Sequence, residues 1–408
     1  MAKPSTGQRS ITMPRGFRAA AATSGLKPSG DPDLALIVSD MPCQAAGLFT
    51  RNKFPGEPVK VARRHLRRGE IQAIVCNSGI ANVATGRRGQ ADALAMAEHV
   101  AKLIGVETNQ VLPSSTGIIG RFLPMDKVRR GIELAFDRLG RGRDADTESA
   151  RAILTTDLVA KAAYRTIKIS KTTVRIGGIA KGSGMIAPHM ATMLAFITTD
   201  AAIVADALRQ SLRQAVDGSF NRISIDQDTS TSDSVFVLAS GEAANRLIKP
   251  SGRSHDAFTA VLTDLCRDLA YQIVRDGEGA TKVFRVKIRG ALSQRDADRV
   301  GKSVVNSPLV KTAVHGGDPN WGRLIMAVGR SGAAVTPGKL SIKIGSIPVC
   351  RRGQAVDLRG EHTRKLTDLM NRFDLQFEIN LGLGQAKSEW LGCDLSRKYV
   401  EINADYTT

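Results

Sequence analysis

The sequence predicts an α+β fold built in layers. Short apolar runs bounded by turn formers are interspersed with longer segments whose apolar residues recur at helical spacing, and their order follows no strict βαβ alternation. No internal repeat or low-complexity tract interrupts the 408 residues, a length that suits one large domain or two to three ordinary ones. A hydrophobic content of 42% beside 24% charged residues is that of a soluble globular chain.

In chain order, residues 33–40 and 71–76 read as buried strands. Residues 77–82 turn into a helical stretch in which Leu94, Ala97, Val100, Leu103 and Ile104 share one face until Gly105 stops it. Residues 113–120 read as a turn rich in glycine and hydroxyls, which can aim backbone N–H groups and the Thr116 hydroxyl into one cavity, as an oxyanion requires. Helices follow over 125–139 and 147–156, with a polar connector between them, and then a strand over 174–179. Further helices are expected over 201–216, 255–273 and 363–370, and further strands over 283–288, 340–344 and 375–381. Residues 306–323 read as a turn-rich loop around Trp321, one of only two tryptophans, which suggests a structural role.

The segment from Lys181 to Asp200 changes character at one bond. Before Thr192 it holds glycines, a proline and small residues; from Met193 to Ile197 it is an apolar run suited to a buried strand. A hydroxyl at the start of such a strand, preceded by the small Ala191, is the layout that self-cleavage needs. The Thr192 oxygen can take the Ala191 acyl group by an N-to-O shift, and water then releases the upstream chain. The new amino terminus carries nucleophile and base on one residue, since an α-amine of pKa about 7.7–8.0 is partly neutral at physiological pH. A loop entering a core strand with an ordinary buried threonine has the same pattern, and these residues alone leave both readings open.

Composition removes several other classes of function. The net charge is +19 and the pI near 10.1, which brings nucleic acid, anionic membranes and acidic metabolites into view. The basic residues occur in short groups such as Arg63-Arg64 and Arg351-Arg352, and 4% aromatic residues leave little for stacking bases. Neither nucleic acid nor a membrane is expected as a partner. Cys43, Cys76, Cys266, Cys350 and Cys393 are scattered without C-x-x-C spacing, which fits a reducing compartment and no disulfide framework or zinc site. Asp226 and Asp228 invite a calcium reading, but Thr231 and Val237 stand where an EF-hand loop needs glycine and glutamate. Gly301-Lys302-Ser303 imitates a phosphate loop, but Asp296 stands where its earlier glycine belongs. No metal is predicted, and a cytoplasmic protein is.

The string Lys-Gly-Ser-Gly-Met-Ile-Ala-Pro-x-Met-Ala-Thr-Met-Leu over 181–194 resembles the self-processing segment of the ornithine acetyltransferase (glutamate N-acetyltransferase) family of arginine biosynthesis. Strings at 155–157, 220–233, 276–282, 306–323 and 392–408 match it too, so the resemblance runs from about Pro14 to Thr408. It implies a self-processing fold of the N-terminal-nucleophile kind, with layered sheets between helices and the nucleophile on a central strand. Cleavage between Ala191 and Thr192 then gives an α chain of residues 1–191 and a β chain of residues 192–408, assembled as two copies of each.

In such an enzyme Thr192 carries acetyl from N-acetylornithine to glutamate, and Thr116 (hydroxyl) and Gly117 (N–H) form the oxyanion hole. The resemblance also assigns the substrate's amino-acid portion to Thr155, Lys181, Glu278, Asn403 and Thr408. By sequence Thr156 fits as well as Thr155. Glu278, between Gly277 and Gly279, is placed to receive an ammonium, whereas the anion-binding role of Lys181 rests on the resemblance. No cofactor is required, and acetyl-CoA stays open as a second donor. Ile80, His189 and Gln227 depart from residues common in the family, which leaves room for an altered acceptor. The rival readings are a self-processing aminopeptidase or amidase, in which water is the acceptor, and a basic nucleic-acid-binding protein.

Overall fold

The computed structural model describes residues 9–187 and 193–405, and the chain is α+β. Its strands, in order, are β1 (Phe17–Ala22), β2 (Leu34–Phe49), β3 (Ile71–Ile80), β4 (Val111–Ile118), β5 (Lys161–Ile169), β6 (Thr172–Lys181), β7 (Leu194–Thr199), β8 (Ile223–Ser224), β9 (Ser234–Ala239), β10 (Val283–Ala291), β11 (Ser341–Ile344), β12 (Ile347–Arg351), β13 (Gln354–Ala355), β14 (Asp374–Asn380) and β15 (Ala386–Cys393). The first sheet runs β4-β3-β2-β9-β7-β6-β5, with β1 added on β2, and the second runs β13-β12-β11-β14-β10-β15-β8.

β7 is an interior strand of the first sheet, and its sequence explains why. All six residues are buried, and successive side chains of a strand point to opposite faces. Leu194 and Phe196 join one core with Phe236 and Leu238. Ala195 and Ile197 join the other with Val235 and Val237. A strand covered on both faces wants an unbroken apolar run rather than alternation, and residues 193–197 supply one.

The cover on the second face is the pair of helices Ala205–Asp217 and Arg253–Arg275. Leu208, Leu212 and Val216 of the first, and Phe258, Leu262, Leu265 and Leu269 of the second, lie in the same core as β7. Each of these larger side chains contributes roughly 1.5–3 kcal/mol by leaving water. Helices Gly86–Ile104 and Met125–Asp137 cover the β3 and β4 end of the sheet through Met96, Val100, Val128 and Ile132. The second sheet builds its own core from Phe284, Val286, Phe377 and Trp390 under helices Gln294–Val305, Pro308–Gly316 and Trp321–Gly329. Among the described residues, no helix is long and apolar enough to cross a membrane.

Four local expectations are corrected. Residues 113–120 do not form a free turn; most of them belong to β4, where parallel pairing with β3 sets Ser114 opposite Cys76 and Thr116 opposite Ser78. Sheet pairing overrides the turn composition. Residues 77–80 continue β3 instead of turning into a helix, which starts only at Gly86. The helix expected over 147–156 runs Arg143–Ala152, so Thr155 stands beyond its end.

Residues 306–323 hold two helices rather than a loop. The Ser307 and Asn320 side chains accept the N–H groups of Val310 and Arg323 as N-caps, Pro308 opens the first helix, and Gly317 (φ +69°) ends it. Ser, Asn, Pro and Gly are boundary signals for helices as much as for turns. Trp321 packs partly buried on the second core, in keeping with a structural role.

Candidate active site

The site lies where strands of the first sheet end side by side. Antiparallel pairing sets Lys181, the last residue of β6, opposite Leu194, the first of β7. Parallel pairing then sets Leu194 opposite Ser234 of β9. From this edge the Lys181 ammonium donates to the Thr155 hydroxyl at 2.8 Å and to the Thr116 hydroxyl at 3.3 Å. Three of the residues singled out from the sequence thus meet at one buried cation, and of Thr155 and Thr156 it is Thr155 that faces it.

Beside Thr116, Gly117 is the penultimate residue of β4 and has φ +127°. A side chain there would overlap the backbone of Gly79, where the β3–β4 register shifts, so the position needs glycine for both conformation and space.

A row of buried charges stands behind Lys181. Its ammonium is 3.9 Å from Asp157. Asp157 accepts from the Lys161 ammonium at 2.6 Å and from the N–H groups of Gly182 (2.6 Å) and Thr155 (3.1 Å). Lys161 reaches on to Asp276, also at 2.6 Å. Burial pushes the Lys181 pKa down, and Asp157 opposes the shift. For Asp157 burial alone would raise the carboxyl, but Lys161, Lys181 and the Gly182 N–H together hold it well below the usual carboxylate range. For Asp276 burial prevails and its pKa is raised. Sequence reading missed Lys161, which belongs to no motif and is recognisable only by its complete burial.

A second cluster lies on the far side of the loop 182–184. The Glu278 N–H donates to the Ser183 carbonyl at 2.9 Å, and its carboxylate lies against Gly184, where any side chain would overlap it. Asn403, in the helix Arg397–Asp405, donates to that carboxylate at 2.8 Å. One short loop is therefore flanked by a cation, Lys181, and a carboxylate, Glu278. That arrangement suits a ligand carrying both an anionic and an ammonium group.

Ala191, Thr192, His189 and Thr408 lie outside the described residues. Next to Thr192 in the chain, Met193 is buried and donates its N–H to Asp233 at 2.9 Å. Asp226 accepts from the N–H groups of Ile186 (2.8 Å) and Met185 and so fixes the loop upstream. Burial pushes its pKa up to about 6. Gln227 has φ +76°, a left-handed conformation in which glycine is at ease. Among the described residues, no group of three His, Cys, Asp or Glu side chains is placed to hold a metal ion.

Two mixed sheets with flanking helices, and a buried lysine and two hydroxyls gathered at the start of an interior strand, define an α+β protein with a buried polar site at a strand end. The model of the ArgJ family matches residues 18–408, and the chain belongs to that family. The arginine biosynthesis bifunctional protein ArgJ of Dehalococcoides mccartyi (strain CBDB1) is 43% identical over 98% of this chain and 97% of its own. The protein of the same name from Thermosynechococcus vestitus is 44% identical over 98% of each chain. Among solved structures, the Bacillus halodurans protein of that name matches with a TM-score of 0.50 and 40% identity, over 52% of this chain and 98% of that one.

Proposed function

We propose that this chain transfers an acetyl group from N-acetylornithine to glutamate through an acetyl-Thr192 ester, giving ornithine and N-acetylglutamate in arginine biosynthesis. The observation that carries the reading is the convergence of Thr116 and Thr155 on the Lys181 ammonium at the threshold of β7.

Self-cleavage between Ala191 and Thr192 frees the α-amine that serves as base. The Thr192 oxygen attacks the acetyl carbonyl, and the Thr116 hydroxyl and Gly117 N–H receive the charge on its oxygen. A single oxyanion donor typically contributes about 3–4 kcal/mol to lowering the barrier. Lys181 and Thr155 hold the carboxylate of the amino-acid portion, and Glu278, with Asn403 and Thr408, holds its ammonium. Ornithine departs, and the glutamate amine takes the acetyl group from the ester.

The Bacillus halodurans match supports a two-chain product. Nearly all of that chain aligns with 52% of this one, and residues 192–408 are 217 of 408 (408 − 191 = 217), or 53%. Two copies of each fragment form the assembly in this reading. The word bifunctional in the relatives' names supports acetyl-CoA as a second donor to glutamate, with no cofactor required for the first reaction.

Intact mass of the purified protein tests the first step, with fragments of 191 and 217 residues expected. Acetylornithine-dependent acetylation of glutamate tests the second. Thr192→Ala abolishes both in this reading; an active, uncut Thr192→Ala protein, or acetyl release to water unaffected by glutamate, overturns it.

A further inference from the structure

The loop that follows Lys181 carries a strained residue. Met185 has φ +57°, a left-handed conformation that a side chain disfavours and that persists only where the surroundings hold it. Asp226, two residues beyond β8, does the holding. One of its carboxylate oxygens accepts the Met185 N–H and the other the Ile186 N–H at 2.8 Å, so the peptides on both sides of the Met185 Cα are tied to one side chain. The Ile186 carbonyl in turn accepts the Ile225 N–H at 2.9 Å.

What this backbone touches gives the tie a use. Gly184, the residue before Met185, lies so close to Glu278 that a Cβ on it would overlap the carboxylate, and the Glu278 N–H donates to the Ser183 carbonyl at 2.9 Å. The helix Arg397–Asp405 reaches both acids with residues four apart, which share a helix face. Tyr399 turns its hydroxyl to Asp226, and Asn403 donates to Glu278 at 2.8 Å. Asp226 and Glu278 thus grip neighbouring parts of one loop under one covering helix.

We propose that Asp226 is a positioning residue for the substrate's ammonium: by fixing the Gly184–Met185 peptide it sets the direction in which the Glu278 carboxylate is presented, without touching the substrate itself. This rests on the reading of Glu278 as the ligand of that ammonium.

The tie depends on charge. Both oxygens of a carboxylate accept, whereas protonation turns one of them into a donor, which then faces an N–H group. Burial sets the Asp226 pKa at about 6, against the N–H groups of Asp228, Met185 and Ile186 and with the Asp228 charge. Facing it are Asp228 on its own loop, Tyr399 on the closing helix and Cys393 on β15, and the Tyr399 phenol in turn faces Glu278. The tie is therefore complete at pH 7.5 and lost as pH falls through about 6.

The test is Asp226→Asn in the cut, full-length enzyme. Asparagine keeps the size and one acceptor and, like the protonated acid, presents a donor to the second N–H. At pH 7.5 the KM for N-acetylornithine should rise about tenfold with kcat within about threefold. Amide exchange of a peptide containing Met185 and Ile186, followed by mass spectrometry, should quicken about tenfold. In the parent the same KM should climb about fivefold between pH 7.5 and pH 5, where about nine-tenths of the Asp226 carboxyl is protonated, while the variant's stays within about twofold. Action through Glu278 also predicts non-additivity: in a Glu278→Gln background the Asp226 substitution should add less than about twofold.

An unchanged KM in Asp226→Asn, a variant profile that climbs like the parent's, or a further tenfold in the Glu278→Gln background overturns the proposal. So does a folded variant that stays uncut, because Asp226 would then act before any substrate binds. Should the variant not fold, the parent decides. A KM that climbs together with amide exchange at Met185 and Ile186, corrected for its intrinsic pH dependence, supports the proposal, and a level KM overturns it. Failure of the underlying reading looks different: Glu278→Gln by itself then leaves KM where it was.

Discussion

Lys161→Met separates what holds the site together from what performs its chemistry. In the folded chain Lys161 and Asp157 are wholly buried, and the ammonium lies 2.6 Å from both Asp157 and Asp276 and 3.1 Å from the Val159 carbonyl. Methionine fills a similar volume but leaves two buried carboxylates facing each other. Breaking a buried ion pair from one side costs about 3–5 kcal/mol. The lower end applies here, about 3 kcal/mol, because Gly182, Thr155, Leu158 and Val159 still offer their N–H groups to the two acids.

With roughly 2.1 cal/mol/K of unfolding entropy per residue, 408 residues give about 0.86 kcal/mol/K. The melting temperature should therefore fall by about 3.5 °C if the chain melts as one unit. The comparison is made by scanning calorimetry in the Thr192→Ala background, where the chain stays covalently whole. The dependence on pH has a definite sign. In the parent, Asp157 is held below its ordinary value, so its contribution is complete above the unfolded pKa of about 3.9 and is lost only as pH falls through the folded value. In the variant Asp276 loses its counter-ion and Asp157 keeps only the more distant Lys181, so burial raises both acids relative to the parent, and the deficit is full at pH 7.5 and shrinks toward pH 5 as they bind protons. Adding Asp276→Asn should restore about half of it. A variant that melts with the parent at pH 7.5, or one whose deficit is as large at pH 5, would refute the reasoning.

Lys181→Met should lower kcat/KM for acetyl transfer by about 10²–10³, since it removes a charge-assisted contact and the anchor of the Thr116 hydroxyl. Its effect on melting should be smaller than that of Lys161→Met, because Asp157 keeps Lys161. Steady-state kinetics and calorimetry on the same preparation check both halves. Gly184→Ala forces the Glu278 carboxylate aside; because that carboxylate ends a flexible side chain, KM for N-acetylornithine should rise about tenfold while melting stays put, and an unchanged KM counts against Glu278 as a substrate ligand. A tag fused after Thr408 should reduce activity more than one before Met1, since Asn403 of the closing helix touches Glu278. Equal activity of the two fusions would argue against a role for the carboxyl end.

Much of this was legible before any coordinates. The apolar run 193–197 marked the interior strand, and the stripe Phe258, Leu262, Leu265 and Leu269 marked the helix that covers it. These patterns are local, set by the periods of helix and strand. Motif strings named Thr116, Thr155, Lys181, Glu278 and Asn403, and the fold brings the first three together at one ammonium and the last two together across one loop.

By itself, then, the sequence determined the α+β class, the succession of strands and helices, and the residues that answer to the family's strings. Tertiary structure alone decided that 113–118 would be a strand instead of a turn, because the hydrogen bonds that make it one come from β3, some forty residues away. It also decided that Lys161 and Asp276 would matter. A lysine or aspartate in sequence looks like solvated surface, and only complete removal from water, which depends on every element packed around it, turns such a charge into a group whose partners are obligatory.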